Sequence, residues 1–198
     1  MLNRREPVPL GKRIGLIVGL AAFFALVVLF VVSFAVDGKW ETEHSVTIEL
    51  SPEQIYPLVN SVSRWERWTN WNKSDLPDLE REFKGPTEGV GSAVIWDRGP
   101  VSGVTRIFRV VPNKQVSFNI STDQRQGYAE GRIVLRQPPG GGDTEVFIRM
   151  WGDAGTDPWE KLAMKLYYRD RLDHDLQLSL NRLRDKLENY YNNQAAGQ

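Results

Sequence analysis

The sequence predicts an α+β fold: an antiparallel sheet wrapped around a long C-terminal helix, preceded by one transmembrane helix. Three patterns predict it. Ile14 to Val36 is an unbroken run of 23 uncharged, almost wholly apolar residues. Between Leu79 and Trp151 the chain reads as six short alternating segments separated by turn residues. From Pro158 to Tyr191, leucines and aromatics recur every three or four residues along an otherwise charged stretch.

As a helix, the first run would extend about 34 Å against a hydrocarbon core of about 30 Å, enough to cross once with modest tilt. Arg4, Arg5, Lys12 and Arg13 precede it with only Glu6 against them, while Asp37, Glu41 and Glu43 outnumber Lys39 after it. That asymmetry favours a cytoplasmic N-terminus and a domain outside the cytoplasm. The expected location is the inner membrane, single-pass, with the C-terminal domain periplasmic or otherwise extracytoplasmic. Ser33-Phe34-Ala35 offers the alternative of a cleaved signal peptide, but an apolar signal core is usually about 7 to 15 residues long. Both readings place the domain on the same side. The expected organisation is residues 1–13 as a cytoplasmic segment, 14–36 as the transmembrane helix, 37–43 as linker, 44–191 as the folded domain and 192–198 as a flexible tail.

The chain carries 25 basic and 25 acidic residues; setting aside Arg4, Arg5, Lys12, Arg13 and Glu6 leaves 21 and 24 for the remainder. A slightly acidic domain argues against a nucleic-acid partner. There is no cysteine, which excludes disulfides, a thiolate nucleophile and cysteine-bound metal. About 160 residues follow the run, enough for one domain with a sizeable core.

Within that domain, His44 to Leu50 alternates, with Val46, Ile48 and Leu50 on one face, and predicts a half-buried strand. Ser51-Pro52 with Gln54 is a helix-start signature, and Pro57 keeps the helix short. Ser61 to Trp71 follows as a helical or irregular stretch with Trp65, Trp68 and Trp71 spaced by three. The six strands are Leu79 to Phe83, Ser92 to Trp96, Gly103 to Val111, Gln115 to Ser121, Tyr128 to Gln137 and Thr144 to Trp151. Turns such as Pro112-Asn113-Lys114 and Gly140-Gly141-Gly142 join them as antiparallel neighbours. Their alternation makes one face dry, through Val116, Phe118, Ile133, Leu135, Val146, Ile148 and Met150, and the other mainly wet. The final stripe, Leu172, Leu176, Leu180, Leu183 and Leu187, needs an apolar partner, and the dry face is the only large one. The six-residue step from Leu166 to Leu172 marks a bend or break.

These elements, in this order, resemble the START-like or SRPBCC superfamily, specifically its polyketide cyclase/dehydrase branch, over roughly Ser45 to Glu188. The resemblance is carried by Leu50-Ser51-Pro52-Glu53-Gln54-Ile55-Tyr56, Val62-Ser63-Arg64-Trp65-Glu66-Arg67-Trp68-Thr69-Asn70-Trp71, Gly85 to Gly91 leading to Trp96, Gly103 with Ile107, Pro112-Asn113 with Val116, and Gly142 to Val146. It implies a helix-grip fold, with Leu176, Leu180, Leu183 and Leu187 on the gripping helix.

Catalytic motifs are absent. No nucleophile elbow, phosphate loop or zinc-binding pair of histidines appears. His174 lies between Asp173 and Asp175, but adjacent residues on a helix point apart, so no metal site is expected. His44 reads as a strand-edge residue. Asp97, Arg98, Arg106 and Arg109 read as facing water. No cofactor is expected.

Aromatic residues are the more informative set. Trp65, Trp68 and Trp71 are placed at a pocket mouth, with Trp96, Phe118, Trp151 and Tyr167 deeper, beside Ile133, Ile148 and Met150 of the dry face. These ten form the expected ligand-binding set; equally, they fill the space between helix and sheet, because pockets and cores share an apolar lining. Trp40, close behind the run, fits a membrane surface. The expected function is a membrane-anchored module binding a small apolar ligand, such as a lipid, isoprenoid, quinone or polyketide. An accessory or assembly subunit of a larger membrane complex is the alternative, supported by the small residues Gly15, Gly19 and Ala22 on the span. A cyclase or dehydratase ranks last, for want of an evident general acid or base. The expected partners are the membrane, an apolar small molecule and, in the alternative, other membrane subunits.

Overall fold

The apolar run is helical from Ile14 to Ala35 in the computed structural model, which describes residues 10–35, 37–99, 101–122 and 128–196. The chain divides into two units, Met1–Asp37 and Gly38–Gln198. The first holds helix α1 (Leu10–Ala35). Its stretch Ile14–Val31 is long and apolar enough to cross a membrane, and none of it is buried.

The second unit is built on seven antiparallel strands: β1 (Lys39–Ile48), β2 (Glu80–Lys84), β3 (Ala93–Asp97), β4 (Ser102–Val111), β5 (Gln115–Thr122), β6 (Tyr128–Arg136) and β7 (Thr144–Asp153). Their order is β1-β7-β6-β5-β4-β3-β2. Strands β2 to β7 are a meander, each within two residues of its expected bounds, and β1 closes the far edge by pairing with β7. Asn113, in the left-handed region at φ 56°, makes the tight turn from β4 to β5. Between β1 and β2 come α2 (Pro52–Val59) and α3 (Val62–Trp65). The Ser51 amide donates to Gln54 Oε1 at 2.9 Å, so the expected helix start is present.

Two expected boundaries are corrected. Strand β1 begins at Lys39, so residues 39–43, expected as linker, pair with β7 from Lys39 opposite Asp153 onward. The C-terminal helix continues to Ala196, into the expected tail. The long helical stretch also divides where the leucine spacing slips, into α4 (Pro158–Ala163), a π-helical turn (Met164–Tyr168) and α5 (Arg169–Ala196).

Burial follows the alternation. Val46, Ile48, Val116, Phe118, Ile133, Leu135, Val146, Ile148 and Met150 form one hydrophobic cluster with Leu176, Leu180, Leu183 and Leu187 of α5. Fully burying one such side chain stabilises the fold by about 1.5–3 kcal/mol. Trp40 also packs, half-buried, against this cluster, and a Cβ on its partner Gly152 would lie 2.7 Å from the indole. Asp97, Arg98, Arg106 and Arg109 are exposed.

Leu183 has no exposed surface, whereas Tyr190 on the same helix is 57% exposed. Leu183→Ala is therefore expected to lower unfolding stability by about 2–5 kcal/mol, and Tyr190→Ala to change it by no more than about 0.5 kcal/mol. Denaturant titration followed by circular dichroism measures both.

Candidate functional site

Helix α5 and the dry face of the sheet do not close on each other along their whole length. Near the first turns of α5 they leave a cavity of about 140 Å³. Strands β5, β6 and β7 supply Phe118, Ile120, Ile133, Ile148 and Met150, and α5 supplies Leu172 and Leu176. The remaining walls come from α3 and the turns after it, from Leu79, and from β2, β3 and β4.

Aromatic rings hold the walls apart. Trp65 meets Phe118 edge-on at 4.8 Å and Trp68 at 6.2 Å, and Trp71 meets Trp96 edge-on at 5.2 Å. Two of these rings lie against strand glycines. Gly131 is paired with Phe118, and a Cβ there would sit 2.1 Å from the ring. Gly103 is paired with Trp96, and a Cβ there would sit 2.6 Å from the indole. Only glycine lets either ring lie so close to the neighbouring strand.

The polar groups in this lining are few. Trp65 Nε1 donates to the Val59 carbonyl at 2.9 Å, and Trp96 Nε1 to Thr105 Oγ1 at 3.2 Å. Arg81 pairs with Glu66 at 2.8 Å, and its side chain is only 15% exposed. Trp68 Nε1 and Arg81 Nε are buried and have no hydrogen-bond partner among the described residues. No histidine lines the cavity. Among the described residues, no cluster of histidine and carboxylate side chains could hold a metal ion.

Eight of the ten expected site residues line this cavity: Trp65, Trp68, Trp71, Trp96, Phe118, Ile133, Ile148 and Met150. Trp151 and Tyr167 do not. Met150 points inward, so Trp151, next along the strand, points to the opposite face, with Arg132 and Arg149 at 5.8 and 5.9 Å from its ring. Tyr167 lies in the π-helical turn, 57% exposed, against Tyr168 and accepting a hydrogen bond from Arg171. The cavity also contains residues the sequence reading passed over, above all Arg81, Phe83, Glu66 and Asp175. Arg81 and Phe83 share one face of β2 by simple alternation, a signal present in the sequence.

His44 sits apart from this lining. Its Nε2 lies 2.8 Å from Asp173 Oδ1, which also accepts from Thr42 Oγ1 at 2.7 Å, tying β1 to α5. The Thr42 hydroxyl first, then His44, holds the Asp173 carboxyl below its ordinary value.

Residues 39–188 match a protein family described as polyketide cyclase / dehydrase and lipid transport. The chain belongs to this family. Comparison with curated proteins gave no match. Solved structures resemble this polyketide cyclase/dehydrase family member at the level of fold. Norcoclaurine synthase from Thalictrum flavum, solved as a point mutant with a transition-state analogue, is 13% identical, with 77% of this chain and 96% of that one covered at a TM-score of 0.55. The Aha1 dimer protein of Colwellia psychrerythraea is 17% identical, with 75% and 96% covered and a TM-score of 0.51. The di-domain ARO/CYC protein BexL of the BE-7585A biosynthetic pathway is 15% identical, with 75% and 46% covered and a TM-score of 0.51.

In this family member the tryptophan-bearing segment is clamped to α5. Arg182 donates to both carboxylate oxygens of Asp75, at 2.5 and 3.3 Å, Asn72 donates to Asp75 at 2.8 Å, and Lys186 donates to the Arg67 carbonyl at 3.2 Å. Arg182 first, then Asn72, lowers the Asp75 pKa. A lowered carboxyl contributes stability above its unfolded value of about 4, and loses it as pH falls through the folded value. Both partners are about one-third exposed, so the effect is modest. Asp75→Asn is expected to raise amide exchange across residues 66–78 by up to about fivefold at neutral pH. Acidification of the unsubstituted chain should lower the protection factors of the same amides, once rates are corrected for the slower intrinsic exchange in acid, and hydrogen exchange followed by mass spectrometry reads both.

Proposed function

We propose that this chain is a membrane-tethered binding module that holds a small, largely apolar molecule in the cavity beside α5. The observation that carries this reading is the cavity itself, about 140 Å³ with an almost wholly hydrophobic lining. A space of about 150 Å³ is large enough for a single aromatic ring. The size favours a ring or a short stretch of chain over a whole polycyclic product. The family description, which joins cyclisation with lipid transport, agrees with such a ligand without selecting one.

The ligand-binding set in this proposal is Trp65, Trp68, Trp71, Trp96, Phe118, Ile133, Ile148 and Met150. Native mass spectrometry of the chain, released gently from detergent, is expected to show an added small mass. Ile120 is half-buried in the lining, so Ile120→Trp fills the void without deleting a core contact. It is expected to lower occupancy by at least about tenfold, given the narrow tolerance of packed walls for added volume. A chain that never carries a ligand, with Ile120→Trp indistinguishable from it, would overturn the proposal.

The tether in this proposal is residues 14–36, with residues 1–13 in the cytoplasm and the domain outside it. Support comes from the exposed apolar surface of α1 and the basic residues before it. Reporter fusions after residue 198 are expected to give active alkaline phosphatase and dark green fluorescent protein. The mature chain should retain residue 1-side sequence by mass; loss of the first 35 residues would identify a signal peptide instead.

The second reading is an accessory subunit of a membrane complex. It is favoured by Gly15 and Gly19 on α1, where a Cβ would meet nothing, and by the exposed Trp159, Leu166 and Tyr167. Co-migration with other subunits in mild detergent supports this reading, and migration alone opposes it.

A further inference from the structure

Four large apolar or aromatic side chains stand on the surface between residues 159 and 168: Trp159 of α4, and Leu166, Tyr167 and Tyr168 of the π-helical turn, each at least 40% exposed. They precede the leucine stripe of α5, and none belongs to the hydrophobic cluster of the core. Soluble domains seldom group such side chains on the surface unless something docks there.

The same stretch is basic. From Pro158 to Arg171 it carries Lys161, Lys165, Arg169 and Arg171 against Glu160 and Asp170. Setting these six aside from the 21 basic and 24 acidic residues counted above leaves 17 and 22, so the remainder of the domain is acidic. An anionic surface would be drawn to this stretch and repelled by the rest.

The covalent path of the chain says which anionic surface is within reach. Residues 36–38 alone separate the end of α1 from the start of β1, and so short a segment spans at most about 14 Å. Strand β1 starts opposite Asp153, the last residue of β7, and α4 begins five residues further on. A Cβ on Gly38 would lie 3.1 Å from the Gly155 carbonyl oxygen and 3.4 Å from Lys161 Cγ, so α4 packs against the residue at which the chain enters the domain. Tryptophan and tyrosine favour the headgroup region of a bilayer, and lysine and arginine beside them favour anionic lipid.

We propose that the stretch from Trp159 to Arg171 is a docking surface for the headgroup region of an anionic bilayer, which holds the domain against the membrane in one orientation instead of leaving it to swing on its tether. The inference rests on the tether reading above and adds the face that the domain turns to the membrane. The chain has no cysteine, so a single nitroxide can be placed at one position at a time. Leu166→Cys, Val90→Cys and Phe24→Cys each put the label at an exposed position, and Val90 precedes β3 at the opposite end of the sheet from Lys39. The full chain is reconstituted in nanodiscs of equal parts phosphatidylcholine and phosphatidylglycerol, and electron paramagnetic resonance measures collision of the label with oxygen and with a water-soluble nickel complex.

The label at 24 is expected in the hydrocarbon core and the label at 90 in water. The label at 166 is expected about 5–10 Å into the boundary of headgroups and acyl chains, favouring oxygen over nickel. Lys165→Glu combined with Tyr167→Ser and Tyr168→Ser, all at exposed positions, should give the label at 166 the nickel accessibility of the label at 90 and leave the label at 24 unchanged. Pure phosphatidylcholine should make the label at 166 shallower.

Free access of nickel to 166, with 24 in the core, would overturn the docking inference and leave the tether standing. Shielding of 166 from oxygen and nickel alike, the mark of a protein partner or a second copy, would overturn it too. A depth indifferent to the triple substitution, or equal in the two lipid compositions, counts against it in the same way. Free access of nickel to 24 would remove the tether reading and the docking inference together.

Discussion

The fold depends on one requirement: the leucine stripe of α5 has to be buried, and only the concave apolar face of the sheet is available to bury it. Leu180 and Leu183, essentially without exposed surface, meet that requirement in the middle of the helix. Strand β1 follows from the same need. By pairing with β7 it extends the dry face through Val46 and Ile48 and brings Thr42 and His44 to Asp173 on the helix. The wet face carries the compensating charge, so the domain needs no second layer on that side.

Toward its first turns the same helix faces aromatic rings as well as aliphatic side chains. Rings packed edge-on are stiff and cannot collapse into the gaps between them, so the space bounded by Trp65, Trp96 and Phe118 persists as a cavity. Gly103 and Gly131 belong to this device, because they let Trp96 and Phe118 lie flat on neighbouring strands where a methyl group would tilt them. The stretch after α3 that carries Trp68 and Trp71 has little regular structure, and ties to Arg182 and Lys186 of α5 replace it. Core and cavity are thus two regimes of one interface. One is filled by leucine and the other is kept open by aromatic rings and the strand glycines beneath them.

Most of the fold was legible because it rests on period. Alternation of two located β2 to β7, and the slip between Leu166 and Leu172 located the π-helical turn. Six residues rotate a straight α-helix about 120° away from its stripe, so the two leucines cannot both face the sheet, and Leu166 is indeed 67% exposed. Strand β1 was read too short because Lys39 to Glu43 is polar in sequence, and its strand character comes from the partner β7. At the cavity, the dry-face residues followed from alternation. The same rule excludes Trp151 once Met150 is placed inside, so its inclusion let residue type override position. Arg81 shows the converse. A charge on a strand reads as solvent-facing, and only the tertiary arrangement puts it beside Glu66 in an apolar wall.

That wall joins packing to function. A domain selected for stability alone would close a cleft of this size, since leaving it open forfeits dispersion contacts along its walls. It would also not bury a guanidinium and an indole with donors to spare, when a larger aliphatic side chain at either position removes both penalties. Here the two costs fall on neighbouring residues: Trp68 and Arg81, which carry the unmatched donors, are also among those around the unfilled volume. Local rules broken together at one site, while the surrounding core obeys them, mark a position shaped by something other than stability. A bound molecule of the kind proposed would restore those contacts. The stability of the domain should then rise with ligand, by the mass action that links binding to folding.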